Sequence, residues 1–506
     1  MPGTWSVGDV GKRTQRPGVY TRFLAELNLT VTSGARGVVA VVGQAGFGPV
    51  GRVIRCENIS DYINQFLDWY DPNTSRLQTF DPYLAVRNAF VGGAFDVLFH
   101  RVDGTGEDQA TVTINNSSDI GVMDVTAKYA GTLGNLMSGV LSKDSSDVVS
   151  FTLRDAAGNL LINYSADLPD ASPGLIDEII DYLNSSEENI WVNAARPSAF
   201  TTDTATDNTV ADNTPYTLSG GLNPTPADSN WLDALDALAQ DEFTHVYFCI
   251  DPSDSAFDLV VAQVIEMREE GKNVVLVTGS EEDEIASAAS TDALAIDNEG
   301  VVFVHPGFID YDRRYGAGEQ ADNFEVSYSG AVVAARIAGL LARTPLTQSV
   351  TKRAIPGSVV DLNVRNNNRD IADMLDAGVM VLAYDGRNFK IEKGINTLST
   401  FTDNKLDTFS KVKIMAILDA IQSSIDVSLD RQVIGKVLNN RVGRRVVISA
   451  IRTFFNGLAA SDIIEPDFIV EQDPDNPPAK DRFFVRYAVK PIDTIDYVYN
   501  TAQVNT

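Results

Sequence analysis

The chain has 506 residues, 44% hydrophobic and 22% charged, with a formal net charge of −29, and is long enough for several domains and a sizeable core. The acidity excludes a cationic nucleic-acid surface and docking on anionic lipid. Two cysteines, Cys56 and Cys249, exclude a disulfide-built scaffold, and the three histidines, His100, His245 and His305, are not spaced as metal ligands.

Residues 1–24 are polar, basic and glycine-rich without a helical period, and read as an extended arm. The apolar run 37–43 predicts a buried strand, and GQAGFGPVG at its end a tight turn. A dinucleotide fingerprint needs its glycines to open a helix. Here Pro49 and Gly51 stand at that point and the extended RVIRC follows, so no cofactor is expected. Ile59, Tyr62, Ile63 and Phe66 predict a helix over 59–69, with Ser60 or Asp61 as its cap.

Between 106 and 222 Ser, Thr, Asp and Asn dominate. Alternating runs at 110–114, 148–153 and 160–165 predict antiparallel strands, with a helix near 175–184 and a loop over 201–221. Residues 228–308 then alternate helix and strand. A helix carries Trp231, Leu235 and Leu238; strands follow at 245–250, 273–279 and 301–305; a helix at 255–272 and an acidic one from Ser280 lie between them. The carboxylates after Ser280 suit a helix N-terminus. This order indicates a parallel α/β sheet. Asp251 reads as a cap or turn residue, His245 and His305 as structural histidines. The apolar stretch 331–342 is broken by Arg336 and too short to span a bilayer. The first residues lack the apolar region of a signal peptide, so manufacture and retention in a cytoplasm are expected.

Residues 346–490 read as α+β: a helix in IADMLDAGVMVL running toward Gly378, strands in FKIEKG and TLSTFT, and a long helix from near Asp407. A further helix presents Val447, Ile451, Phe454, Phe455 and Leu458 on one face, and residues 482–489 alternate as a strand. After Pro491, Ile492, Ile495, Tyr497 and Tyr499 give strand character to a segment with no later partner in sequence.

No G-x-x-x-x-G-K-[ST], G-x-S-x-G or H-E-x-x-H occurs, and no catalytic, cofactor or metal site is expected. Cys56 and Cys249 are either reduced, partly buried thiols or an inter-subunit disulfide. Lys436, Arg441, Arg444 and Arg445 form a basic cluster, either a solvated helix face or a contact with an acidic partner. Charge is uneven: residues 1–105 carry net +1, 106–345 carry −30, and 346–506 carry 0. The acidic middle belongs in water, whether as solubilising loops or as the outside of an assembly that buries the neutral ends.

Several segments in fixed order carry a resemblance. They are RPGVYTR (Arg16 to Arg22), GVVAVVGQAGFGPVGRV (Gly37 to Val53), VTAKYAGTLGN (Val125 to Asn135) and LSGGLNP (Leu218 to Pro224). The C-terminal series is AGVMVLAYDGRNFKIEKGINTL (377–398), IGKVLNNRVGRRVVISAIRTFFNGL (434–458) and FFVRYAVKPIDTIDYVYNTAQV (483–504). Together they resemble the contractile tail sheath proteins of myophages, phage-tail-like bacteriocins and related injection systems.

The resemblance implies a multidomain α+β and α/β chain: an arm at 1–24, an α/β domain at 25–105 and 223–345, an acidic β insert at 106–222 on the outer surface, a tube-facing α+β domain at 346–490, and a second arm at 491–506. Pro17, Gly18, Val19 and Tyr20 of one arm and Ile492, Ile495, Tyr497, Val498 and Tyr499 of the other would add strands to neighbouring subunits. Lys436, Arg441, Arg444 and Arg445 would touch the inner tube, and Cys56 and Cys249 would be positions for an inter-subunit disulfide. The implied partners are further copies of the chain in helically stacked, six-fold rings, the tube protein, and baseplate and tail terminator proteins. The implied location is a virion tail assembled in a host bacterium, without cofactor or enzymatic activity. Two rival readings are an α/β hydrolase-like enzyme on residues 228–308 and another virion, baseplate or surface-layer protein.

Overall fold

A computed structural model describes residues 37–67, 81–198, 200, 204, 207–313, 323–403 and 405–503. Pro17, Gly18, Val19 and Tyr20 lie outside the described residues. Those described fall into two compact units, one of residues 37–419 and 493–503, the other of residues 420–492.

The larger unit opens with β1 (Val38–Gly43), β2 (Val53–Cys56), α1 (Ile59–Phe66), α2 (Pro82–Gly92) and β3 (Asp96–Arg101). The cap of α1 is Asn58, two positions before Ser60, in place of the Ser60 or Asp61 expected for that role. Its side chain accepts from the Asp61 amide while the Asp61 carboxylate accepts from the Asn58 amide, so two orphan donors are satisfied reciprocally. α2 starts on Asp81 with Pro82 in its first turn, where proline costs no hydrogen bond.

The insert follows: β4 (Thr111–Asn115), β5 (Gly121–Ala127), β6 (Ser138–Lys143), β7 (Val148–Arg154), β8 (Leu160–Pro169), α3 (Leu175–Ser185), β9 (Val192–Ala195) and β10 (Thr214–Thr217). It forms two antiparallel sheets, ordered β10-β6-β7-β8 and β4-β5-β9. Met123, Phe151, Leu153 and Ile179 belong to a second core, which Phe47 and Leu67 from outside the insert also join. β10 lies inside the stretch expected to be loop. Tyr216 anchors it, buried on Phe151 and donating its hydroxyl to the Thr152 carbonyl.

The chain then returns through α4 (Asp228–Leu238), β11 (His245–Phe248), α5 (Ser255–Glu269), β12 (Val275–Gly279), α6 (Ala286–Ile296) and β13 (Val301–His305). After these come β14 (Phe308–Arg313), β15 (Asn323–Tyr328), α7 (Gly330–Arg343), β16 (Val359–Leu362), α8 (Asn368–Asp376), β17 (Val379–Tyr384), β18 (Phe389–Ile391) and α9 (Val412–Gln432). The main sheet has eight strands in the order β18-β17-β13-β12-β11-β1-β3-β2. Its six middle strands run parallel and each edge strand is antiparallel to its neighbour.

Four expectations are corrected here. The helix expected in IADMLDAGVMVL, running toward Gly378, ends at Asp376, and Gly378, at φ +85°, turns the rest of that stretch into β17. β17 and β18 therefore complete the main sheet, across the boundary expected between 345 and 346. TLSTFT is a loop instead of a strand: buried Thr397 donates its amide to the Val301 carbonyl, and Asp297 accepts from the amides of Ser399 and Thr400. The acidic residues after Ser280 form a turn, with Asp283 at φ +57°, and α6 starts only at Ala286.

α7 is buried on every side. Its Arg336 donates to Asp310 Oδ2 at 2.5 Å and Asn88 Oδ1 at 2.8 Å, with its guanidinium over the Phe308 ring. α2 and α7 approach closely at Gly92 and Gly339, where a Cβ on either would strike the other helix's backbone.

The smaller unit contains the end of α9, then α10 (Arg441–Ala460), β19 (Ile469–Gln472) and β20 (Val485–Ala488). Phe455 is its buried centre, meeting Phe468 and Tyr487 edge-on at 5.4 and 5.5 Å between ring centroids.

Candidate inter-subunit site

A doubly wound sheet offers a ligand crevice where its strand order reverses, here between the C-terminal ends of β1 and β11. That place is filled by the chain itself. Gly43 ends β1 so close to Cys249 and Pro82 that an added Cβ would lie 2.9 Å from Cys249 Sγ. The following turn is plugged by the insert: Leu133 donates its amide to the Gly46 carbonyl, and Phe47 meets Tyr129 edge-on. Buried Arg101 ties both segments, donating to the Gly48 carbonyl at 2.5 Å and the Ala130 carbonyl at 2.7 Å.

The polar residues that a hydrolase-like reading of 228–308 would draw on, Asp251, His245 and His305, occupy structural places. Asp251 accepts from the Ser253 amide and hydroxyl, closing a turn. His245 Nδ1 lies 2.9 Å from Thr244 Oγ1. His305 Nδ1 lies 2.9 Å from Ser280 Oγ, but both residues are only 1% exposed, and burial pushes the imidazole down to about 4. A Ser–His pair sealed in this way has no path to a substrate.

Neither Cys56 nor Cys249 is in a disulfide, and both are buried in the core of the larger unit. Burial pushes the Cys56 thiol up to about 12. A bond from either to another subunit requires that core to open.

The outward-facing features lie in the C-terminal part. Asn440 caps α10, accepting from the amides of Val442 and Gly443. Arg441 and Arg445 are exposed in its first turns and Lys436 is exposed just before, whereas Arg444 is half-buried and donates to Asn439 Oδ1 at 3.1 Å. Cations at a helix N-terminus oppose the macrodipole, and residues 431–452 contain six Lys and Arg with no Asp or Glu. The cluster is therefore not placed there for helix stability. Ile434, Leu438 and Val442, exposed by 66–75%, are interleaved with it. The four-residue spacing of these three is written in the sequence, and reading the charges alone missed it.

Residues 492–503 contain no helix or strand. Pro491 bridges to Ile464, and the Ile492 amide donates to the Ile463 carbonyl at 2.9 Å. Farther on, Ile495 is 84% exposed, Tyr497 65%, Val498 72% and Tyr499 92%. In the smaller unit β19 pairs antiparallel with β20, from Ile469 opposite Ala488 to Gln472 opposite Val485. Among the described residues no third strand joins either one. A run of bare apolar side chains and a two-stranded sheet that no other described strand joins are complementary features of one chain. Lys411, which sequence reading passed over, forms ion pairs with Asp493 and Asp496 at the root of the tail.

Comparison with known proteins bears on the family and the fold. A family model described as the phage tail sheath protein central domain matches residues 226–397, and one described as the phage tail sheath C-terminal domain matches residues 404–505. The phage-like element PBSX protein XkdK of Bacillus subtilis is 23% identical over 515 residues, covering 98% of both chains. A tail sheath protein of Clostridium phage phiCD119 is 30% identical over 138 residues, 27% of this chain and 38% of that one. Among solved structures, the sheath tail protein of Desulfitobacterium hafniense shares the fold at TM-score 0.66 and 21% identity, over 94% of this chain and 100% of that one. The contracted helical sheath of the anti-feeding prophage does so at TM-score 0.54 and 13% identity, over 97% and 100%. With the two domain matches together spanning more than half of its length, the chain belongs to the phage tail sheath protein family.

Proposed function

We propose that the chain is the subunit of a contractile sheath, polymerising as stacked rings around an inner tube and driving that tube through a cell envelope on contraction. The observation that carries this reading is the exposed apolar tail, Ile495 to Tyr499, on a chain whose β19 and β20 are joined, among the described residues, by no third strand. An arm entering a neighbour's sheet by strand addition satisfies both. The contact is heterologous, so it propagates an array and does not close a dimer. Burial of each large apolar side chain contributes about 1.5–3 kcal/mol, so the four in this run supply roughly 6–12 kcal/mol per joint before ordering costs.

A subunit that contracts needs no bound nucleotide if its second arrangement buries more surface. Roughly 500 Å² more per subunit, at about 25 cal/mol per Å², gives on the order of 12 kcal/mol as an upper bound. The extended state is then metastable, held by its assembly route and tube contacts. The basic and apolar patch around Lys436, Arg441 and Arg445 suits an acidic tube surface. The acidic insert, built on a core distinct from that of the main sheet, suits the outer face, and the crevice plugged by Arg101 and Leu133 supports a structural role over an enzymatic one.

The test is truncation before Tyr497. The shortened chain is expected to remain soluble and folded by circular dichroism, and to form no cylinders in negative-stain electron microscopy when co-expressed with its tube protein. Normal sheaths from the truncated chain sink the arm.

A further inference from the structure

We infer that Lys411, with Asp493 and Asp496, is the anchorage of the C-terminal arm: the clasp through which tension carried between subunits enters the subunit's own main sheet. The inference rests on the reading of the tail as an inter-subunit arm.

The clasp marks where the tail stops belonging to its own chain. Lys411 Nζ pairs with Asp493, and with Asp496 Oδ2 at 2.7 Å; the Asp496 side chain is 9% exposed. Lys413, buried two positions on, lies within the field of both carboxylates. So a Lys-x-Lys step at the start of α9 faces an Asp-x-x-Asp step in the tail. One residue beyond Asp496 the chain is open to solvent, with Tyr497 at 65% and Tyr499 at 92% exposure. Both carboxylates also lie beside the start of a 21-residue helix, where the dipole favours negative charge.

What distinguishes this pair from an ordinary surface ion pair is the platform under Lys411. Its backbone bridges to Ile395, and the Val412 amide donates to the Gly394 carbonyl. Buried Asn396 donates its amide to the Ser410 carbonyl, and its side chain to the carbonyls of Phe409 and Glu299. Thr397 then donates its amide to the Val301 carbonyl, at the first residue of β13, and its hydroxyl to the Asn298 carbonyl. Three consecutive residues, Ile395 to Thr397, thus connect the lysine to a strand with neighbours on both sides. Without the clasp, a pull on Tyr497 travels along the chain to β20, whose sheet has two strands and opens one hydrogen bond at a time. With it, the pull is met at Asp496 and spread into an eight-stranded sheet.

The experiment uses the full chain as Lys411→Met, Lys411→Arg and Asp496→Asn. Exchange of the Ile492 amide, bonded to the Ile463 carbonyl at 2.9 Å at the root of the tail, measured by mass spectrometry on the unassembled subunit, is expected to rise several-fold in Lys411→Met and Asp496→Asn and to stay near wild type in Lys411→Arg. Raising salt from about 0.1 to 1 M, which shortens the screening length from roughly 10 to 3 Å, is expected to speed exchange in wild type and not in Lys411→Met. A merely structural lysine predicts neither the rescue by arginine nor this salt effect. Sheaths co-expressed with the tube protein are then sheared by a fixed sonication dose, and fragment lengths are counted by electron microscopy. Lys411→Met sheaths are expected to break several-fold shorter than wild type. Unchanged exchange overturns the clasp, and faster exchange with unchanged fragment lengths overturns its load-bearing role. Failure of the wild-type chain to form sheaths overturns the proposed function instead.

Discussion

Arg268 of α5 grips Asp419 of α9 through two hydrogen bonds, 3.1 Å from Nη1 to Oδ2 and 3.0 Å from Nη2 to Oδ1. The side chains are 9% and 15% exposed. Burial raises the Asp419 pKa despite the guanidinium opposite, so the pair is held against a desolvation cost. Arg268→Met leaves that carboxylate without its partner and is expected to cost about 3–5 kcal/mol, whereas Arg268→Met with Asp419→Leu is expected to recover most of it. Urea unfolding of the single and double variants measures the coupling. Equal losses in both would show that packing around Gly300, which lies against Arg268, matters more than charge.

Acid is expected to destabilise the larger unit through its buried histidines. Burial pushes His305 down to about 4 and lowers His100 as well. Between the folded value and the ordinary 6.5, the unfolded state binds the proton and the folded state does not. Stability is therefore complete above 6.5 and lost as pH falls toward 4, by on the order of 3 kcal/mol for His305. Thermal melts across that window should show the slope, and His305→Gln should flatten it. An unchanged slope in that variant would assign the acid limb to other groups.

Glu284 acts with the opposite sign. Burial and the acidic neighbours Asp292 and Glu281 push its carboxyl up to about 7, while the Glu281 amide donates to its Oε2. The folded state holds the extra proton, so stability falls as pH rises from 4.5 through 7. Glu284→Gln retains an acceptor for that amide and removes the charge. It is expected to add about 1–2 kcal/mol at pH 8, after discounting for solvent, and nothing at pH 4. A stabilisation equal at both pH values would point to packing.

The strands of the main sheet were legible where an apolar run of four to six residues lies buried on both faces, as in β1, β11 and β13. β17 was hidden because IADMLDAGVMVL satisfies a helical and a strand period at once, and only Gly378 at positive φ separates them. β14 was hidden because FIDYDR puts a carboxylate into the interior; Asp310 is tolerated there by Arg336 and Ser358. The tail was legible as strand-capable residues without a partner. Its clasp was not, since Lys411 and Asp493 are 82 positions apart and nothing local to either announces the other.

Burial also decides the cysteines. Cys56 is fully buried and Cys249 is 6% exposed, and Cys56 has its thiol pushed up to about 12. The nucleophile is the thiolate, so neither thiol of the unassembled subunit is expected to react with iodoacetamide at pH 8 within an hour. Both should react once urea unfolds the chain, as counted by mass spectrometry. A disulfide-linked dimer on non-reducing gels of freshly assembled sheaths would reverse this and show that assembly opens the core.

The basic patch separates its two readings through the helix dipole. Arg441 and Arg445 sit in the first turns of α10, where cations are unfavourable and anions favourable by about 0.3–1 kcal/mol each. Replacing both with Glu is therefore expected to stabilise the isolated subunit slightly, visible as a small rise in melting temperature. Arg444 is left intact because it is half-buried against Asn439 and supports the turn before the helix. If the patch docks on an acidic tube, the same variant must lose co-purification with tube protein and fail to form sheaths while melting higher than wild type. A solvated face gives the higher melting temperature and normal sheaths. Stability and assembly moving in opposite directions is a result that misfolding cannot produce, and it would identify the cost of placing arginines at a helix N-terminus as the cost of holding the tube.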